Sequence, residues 1–397
     1  MTFKINILKL TPLFVLFYSQ VIAQTSEELI NALYSENPLD VTFAIEAISE
    51  QQIYEALPAI NELFESQPPF LQLAFLHALL VLDDADVETK ALYVISIADE
   101  YANYDPPFKY DPLDAKAKAT LVLIEMQNYS TVNYIFERIE RDQPNYDGLS
   151  LTVLEIILNQ YYPYEMQART ELENILNSLP YSSSEKYEAF CILIDKYGWQ
   201  FQDQILDIFV NADYLPIKLK ALEYLIQFNY SELNSLLKER IETEEYWSLR
   251  VDIADSLLQK FGEPSDLKTV IDYQPNEPNE TAKSLIGFSI EEFIPPKPAL
   301  NWSGLITKLI SYTTEMYQYG WVANTQTRDY YITKLNLLNS QITSGRYKDA
   351  CSTLNKALLV QIEKDLATNK ITTEGYKFLH YYCVYIKEEF PGPLPCL

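Results

Sequence analysis

Apolar residues recur along this chain in paired blocks of helical period, and each pair begins 30 to 42 residues after the one before. First helices are expected to start near Leu39, Phe70, Pro112, Leu149, Ser184, Pro216 and Tyr246. In the clearest stretch, Leu219, Leu222, Leu225 and Ile226 mark one face, answered by Leu233, Leu236, Leu237 and Ile241. Leu249, Ile253, Leu257 and Phe261 then recur at i, i+4, i+8 and i+12, a helical stripe. Earlier, Phe43, Ala47 and Ile48 are answered by Ile53, Leu57, Ile60 and Phe64, and Pro68-Pro69 opens the next run of Leu71, Phe75, Leu79 and Leu82. A single pair cannot bury its apolar face, so neighbouring pairs must stack.

Composition agrees. Glycine occurs 9 times in 397 residues, about 2% against a usual 7% or so. So few glycines cannot supply the positive-φ turns of a hairpin-rich β fold. With 48% hydrophobic residues, the chain has enough apolar surface for a sizeable core. The expected class is all-α: a superhelix of helix pairs over 24–274, a proline-rich linker over 275–300, and a small helical bundle over 301–397. The linker reading rests on the turn-rich Gln274–Glu280 and on Phe293-Ile294-Pro295-Pro296-Lys297-Pro298, which favours extended polyproline geometry. A short helix from Glu280 to Phe288 is expected to cap the end of the repeats. In the bundle, four helices are expected: Trp302 to Tyr319; Thr327 to Thr343 with Tyr331, Leu335, Leu338 and Ile342 on one face; Tyr347 to Ala367 with Cys351, Leu354, Leu358 and Ile362; and one capped by Thr372 with Leu379, Cys383, Ile386 and Phe390.

Two stretches carry family resemblances. Residues Pro216-Ile217-Lys218-Leu219-Lys220-Ala221-Leu222-Glu223-Tyr224-Leu225 and Leu249-Arg250-Val251-Asp252-Ile253-Ala254-Asp255-Ser256-Leu257-Leu258 resemble the first helix of HEAT-type repeats, with a polar-basic start, a small residue mid-helix and paired leucines. The likeness runs from about Leu39 to Tyr273 and implies a HEAT-like α-α solenoid; tetratricopeptide-like or irregular α-α packing stands as the alternative. The second stretch is carried by Leu309, Tyr312, Gly320-Trp321-Val322, Lys334-Leu335, Gly345-Arg346-Tyr347-Lys348-Asp349-Ala350-Cys351, Leu354 and Ile371-Thr372-Thr373-Glu374-Gly375-Tyr376. It resembles the FIMAH domain, a helical module found at the C-terminal end of extracellular bacterial and archaeal proteins, over Leu305 to Phe390. That resemblance implies an accessory role in exported proteins and brings no catalytic residues with it.

The N-terminus reads as a secretory leader. Lys4 and Lys9 precede a short apolar run, Leu10 to Tyr18, and Val21-Ile22-Ala23 precede Gln24, so cleavage is expected between Ala23 and Gln24. The run is shorter than the ~20 apolar residues a bilayer span needs; an uncleaved anchor is the alternative. Localisation is therefore expected to be extracytoplasmic, periplasmic or secreted, with no membrane insertion after leader removal. Without the leader, 28 basic residues face 56 acidic ones, a charge of about −28. That balance argues against nucleic acid, which needs clustered Lys and Arg, and against anionic membrane surfaces. Export permits disulfides. Of Cys191, Cys351, Cys383 and Cys396, the favoured pair is Cys351–Cys396, because Cys396 can fold back to the level of Cys351 through Pro391-Gly392-Pro393. Cys383 lies five residues off that level, about 7.5 Å along the axis, which leaves Cys351–Cys383 or free thiols as alternatives. Cys191, beside Phe190 and Ile192, reads as a buried apolar cysteine.

No catalytic constellation emerges. The two histidines, His77 and His380, fall in different units and lack ligand-spaced partners for zinc. There is no Gly-x-Ser-x-Gly elbow and no phosphate-cradling glycine loop. Asp83-Asp84-Ala85-Asp86 lacks the glycine and distal Glu of an EF-hand and reads as a helix end followed by an N-cap. Four sequons, at Asn128, Asn229, Asn279 and Asn301, matter only in a eukaryotic secretory route. The 31 tyrosines, clustered at Tyr161-Tyr162-Pro163-Tyr164, Tyr330-Tyr331 and Tyr381-Tyr382, suit either helix seams or a binding surface. The expectation is a non-enzymatic scaffold without metal or cofactor, binding a protein or peptide partner. The alternatives are an accessory subunit docking through its C-terminal module and, further off, a carboxylate-based hydrolase on an α-α scaffold.

Overall fold

A computed structural model describes residues 25–102, 110–142, 148–160 and 162–391. Among them the regular structure is helical, with one isolated antiparallel bridge between Val322 and Ile371. The chain divides into two compact units, Met1–Gln202 and Asp203–Leu397.

The first unit holds α1 (Ser26–Ala32), α2 (Pro38–Gln51), α3 (Leu57–Leu63), α4 (Pro69–Val81), α5 (Val87–Ile97), α6 (Pro112–Glu125), α7 (Asn133–Asp142), α8 (Gly148–Gln160), α9 (Tyr162–Ser178) and α10 (Ser184–Tyr197). Successive helices pack as pairs, and first helices also meet: α2 on α4, α4 on α6, α8 on α10. Proline opens α2, α4 and α6, where its missing N–H costs nothing and its fixed φ suits the helix. Asn37, Asp111 and Ser183 cap α2, α6 and α10 by accepting the N–H of Leu39, Leu113 and Lys186. Leu29, Ile48, Ile60, Phe64, Phe75, Leu79 and Leu123 belong to one buried cluster. Phe43 departs from the expected inward stripe and is 37% exposed.

The second unit runs from α11 (Gln202–Asn211), whose first residue lies at the boundary, through α12 (Leu215–Gln227), α13 (Leu233–Thr243), α14 (Trp247–Ser256), α15 (Pro264–Tyr273) and α16 (Glu280–Glu292). It ends with α17 (Trp302–Gln318), α18 (Thr325–Thr343), α19 (Tyr347–Ser352), α20 (Val360–Ala367) and α21 (Thr373–Glu388). The expected third helix of the C-terminal bundle is continuous, but a π-helical stretch, Thr353–Leu359, joins α19 to α20. Such wider turns release a backbone carbonyl, and here the Tyr330 hydroxyl donates to Ala357 O at 2.7 Å. Two segments distant in sequence meet across the bundle: Thr372 N donates to Trp321 O at 3.0 Å and Ala323 N to Lys370 O at 2.9 Å. A Cβ on Gly375 would lie 2.7 Å from Trp321 O, so glycine permits this approach.

The segment 293–298 makes contacts with residues distant in sequence. Phe293 is fully buried, its ring 5.7 Å from that of Phe378. The Tyr385 hydroxyl donates to Pro295 O at 2.6 Å, Lys377 donates to Ile290 O at 2.7 Å, and Pro296 lies against Gly262. Lys308 on α17 pairs with Glu263 before α15 at 3.1 Å. The proline run is extended, as its composition dictates, but these nonlocal contacts dock it.

Scarce glycine shows in the helix ends. Gln52, Asp83, Gln127, Asn229 and Asn369 all take positive φ at or just beyond the end of a helix, where glycine usually stands.

Candidate functional site

The first helices carry two sets of charged residues, one buried and one open to solvent. The buried set links successive pairs. Lys218, in the first turns of α12, donates to Glu244 Oε2 at 2.7 Å, and both residues are buried. Arg250, at the same place in α14, forms a fork on Glu277, Nε to Oε2 at 2.7 Å and Nη2 to Oε1 at 2.6 Å. Each carboxylate also accepts the N–H two residues on, Tyr246 N at 3.1 Å and Asn279 N at 2.8 Å, and so sets the entry to the next helix. Arg250 Nη1 reaches back to the carbonyls of Glu244 and Glu245, at 2.8 and 2.9 Å, joining one rung to the next.

Burial alone would raise the Glu277 carboxyl. The Arg250 guanidinium, the Tyr273 hydroxyl at 2.6 Å and the Asn279 N–H outweigh it and hold Glu277 at about 2. Glu244 is held below its ordinary value in the same way, burial opposing and Lys218 prevailing. A third carboxylate, Asp266, is enclosed by Lys238 at 2.7 Å, Asn234 Nδ2 at 2.9 Å and the Glu263 N–H at 2.8 Å. In the first unit, Arg138 Nε pairs with Asp114 at 3.0 Å and its Nη1 donates to Ser150 at 3.2 Å. Sequence reasoning missed these links, although one signal was present: Lys218 and Arg250 stand 32 residues apart.

The solvent-facing set has the opposite character. Glu46 on α2, Glu125 on α6, Glu155 on α8 and Glu188 on α10 all have carboxyls raised first by desolvation. Neighbouring acids add to this for three of them: Glu50 for Glu46, Asp195 for Glu155, and Glu185 and Glu155 for Glu188. In the second unit Asp252 on α14 is raised likewise, by burial and by Asp255. Glu46, Glu155, Glu188 and Asp252 are nonetheless solvent-exposed residues. A group that keeps its contact with water but loses much of its hydration is flanked by protein on several sides. None of these five carboxylates is in an ion pair among the described residues.

The residues singled out from sequence distribute as follows. His77 is half-buried on α4 and burial lowers its pKa, in keeping with a packing role. His380 is partly sheltered rather than fully at the surface: its ring stacks on Tyr376 at 4.9 Å, and Nδ1 lies 3.3 Å from Glu363. In the acidic run, Asp84 takes up two donors, and Asp86 stands at the N-cap position of α5. Asp84 accepts from Asn61 at 2.8 Å and from the Asp86 N–H at 2.9 Å, whereas the Asp86 side chain caps nothing. No cluster of three or more potential metal ligands occurs among the described residues. Cys383 is a buried free thiol, pushed up to about 12 by burial, so the Cys351–Cys383 pairing is not formed. Cys351 lies in α19, Cys396 outside the described residues, and so do Ala23 and Gln24 at the expected cleavage point. Cys191 is half-buried.

A cleft between α6, α7 and α8, lined by Leu121, Ile135, Arg138 and Ser150, has a cavity volume of about 10 Å³, room for about one water molecule and far below a small-molecule site. Among the described residues no helix is long and apolar enough to cross a membrane. Among the described residues the most exposed aromatics, Phe288 at 62%, Tyr34 at 51% and Tyr54 at 49%, lie outside the C-terminal bundle, whose Tyr312, Tyr331 and Tyr382 point inward. Comparison with known proteins gives no match, either to a protein-family model or to a curated relative.

Proposed function

We propose that this chain is an exported, non-enzymatic helical-repeat scaffold that binds a protein or peptide partner along the open face of its first helices. HEAT-like pairs followed by a FIMAH-like end module are the architecture this reading assumes, reached after removal of the leader at Ala23–Gln24. The carrying observation is the set of exposed carboxylates Glu46, Glu155 and Glu188 on α2, α8 and α10, which make no ion pair among the described residues and whose pKa values burial raises. Charge kept where it is costly, on a face open to solvent, suits a partner that brings compensating cations. The position of the exposed aromatics favours the repeats over the C-terminal bundle as the binding surface. In the oxidising compartment this reading requires, Cys351 and Cys396 join the end of the chain to α19.

The test is affinity capture of the mature protein from its own envelope fraction at low salt, with mass spectrometry, in parallel with Glu155→Gln/Glu188→Gln. Recovery of a basic partner by the wild type and its loss from the variant supports the reading. Equal recovery by both, or none above background, refutes it.

A further inference from the structure

We infer that α16 is the docking site for a partner's amphipathic segment, apolar on one side and flanked by Lys or Arg. The assignment rests on the scaffold reading above and gives it a place and a partner chemistry. Helix α16 packs on α14 and α15 through Ala282 and Ile286, both fully buried. Its other face carries Leu285 at 44% and Phe288 at 62% exposure, one helical turn apart, and Ile294 just beyond the helix is 48% exposed. Phe288 shows more of its surface than any other aromatic among the large exposed hydrophobics. An exposed strip of this kind on a monomer marks a contact surface.

Charge selects the occupant. Glu280, Glu291 and Glu292 bracket the strip, are exposed, and make no ion pair among the described residues. Of the three lysines nearby, Lys297 is neutralised by two glutamates, while Lys283 and Lys377 are tied to backbone carbonyls and keep their charge. Lys283 donates to Pro275 O at 2.9 Å, Lys297 to Glu388 and Glu389 at 3.1 and 2.7 Å, and Lys377 to Ile290 O and Glu291 O at 2.7 and 2.6 Å. The strip therefore presents apolar surface within a rim where three acids, Glu280, Glu291 and Glu292, outnumber the two cations Lys283 and Lys377, the latter acting on both Glu291 and Glu292. A second copy of the chain, with its formal charge of −26, meets that rim with repulsion. A segment with basic flanks meets it with complementary charge.

The probe is a fluorescein-labelled amphipathic peptide of leucine and lysine, with a leucine–glutamate peptide as control, titrated into the mature protein and read by anisotropy. Expected results are binding of the lysine peptide only, and a loss of about tenfold or more in Leu285→Ala/Phe288→Ala, which leaves every charge in place. Glu291→Gln/Glu292→Gln should weaken binding and flatten its salt dependence. Binding by the double alanine variant within twofold of wild type overturns the assignment, as does a Phe288-dependent dimer in sedimentation. If Glu155→Gln/Glu188→Gln abolishes peptide binding while the alanine variant does not, the site falls and the scaffold reading survives. If the wild type binds neither peptide, the assignment falls and the capture experiment alone decides the scaffold reading.

Discussion

Removing the guanidinium of Arg250 leaves Glu277 as a buried charge without a counter-ion, and the cost follows from the geometry. Glu277 is held at about 2 against an ordinary 4.5. At 1.36 kcal/mol for each tenfold change in proton affinity, that difference is worth about 3 kcal/mol at neutral pH. The Glu277 side chain has no exposed surface, so solvent screening takes little from it. Breaking a buried pair by deleting one partner costs about 3–5 kcal/mol in general, in agreement. Arg250→Met keeps much of the side-chain volume and should lower the melting temperature of the second unit by about 6–12 °C, at about 2–4 °C per kcal/mol for a unit of this size. Tryptophan fluorescence reports that unit, since Trp247, Trp302 and Trp321 lie in it and only Trp199 in the other. The sign with pH is defined. A depressed carboxyl contributes stability that is complete above its unfolded value and is lost as pH falls through about 4.5 towards 2. The gap between wild type and variant should therefore narrow on acidification. Arg250→Met/Glu277→Leu should recover much of the loss. A gap below about 1 kcal/mol at pH 7, or one that stays constant down to pH 3, refutes the buried-pair reasoning.

Gly262→Ala should destabilise by more than the ~1 kcal/mol expected of a left-handed site alone, because its φ is +60° and a Cβ there would collide with Pro296 and sit 2.7 Å from Leu258 O; melting within 1 °C of wild type would contradict this. Glu155→Gln and Glu188→Gln should each raise the melting temperature at pH 7. Their carboxyls are raised in the fold, so the penalty they carry is present above that raised value and relieved as pH falls, and the gain from Gln should vanish in acid. Intact mass of the mature protein after alkylation without reductant should show two blocked thiols, those of Cys191 and Cys383 after unfolding; four would rule out the Cys351–Cys396 bond.

Much of the helix layout was legible because its signals are local. Starts expected at Leu39, Phe70, Pro112, Leu149, Ser184 and Pro216 fall at Pro38, Pro69, Pro112, Gly148, Ser184 and Leu215, set by prolines, caps and apolar period. The bundle faces were legible for the same reason: Tyr331, Leu335, Leu338 and Ile342 are all buried. What escaped depends on residues distant in sequence. Phe43 sits on an apolar period, yet the helices stacked on α2 leave its side uncovered. Nothing near Pro295 or Pro296 tells that Tyr385 and Gly262 will receive them. The buried rungs are longer-range still, since Arg250 and Glu277 are 27 residues apart and meet only once two helices have formed.

The 32-residue step between Lys218 and Arg250 makes each rung interchangeable with the next. Lys218 and Arg250 each find a carboxylate 26 or 27 residues on, and Glu244 also orders the entry to the helix that carries Arg250. A tandem duplication of one such step would therefore arrive with its buried charges already matched.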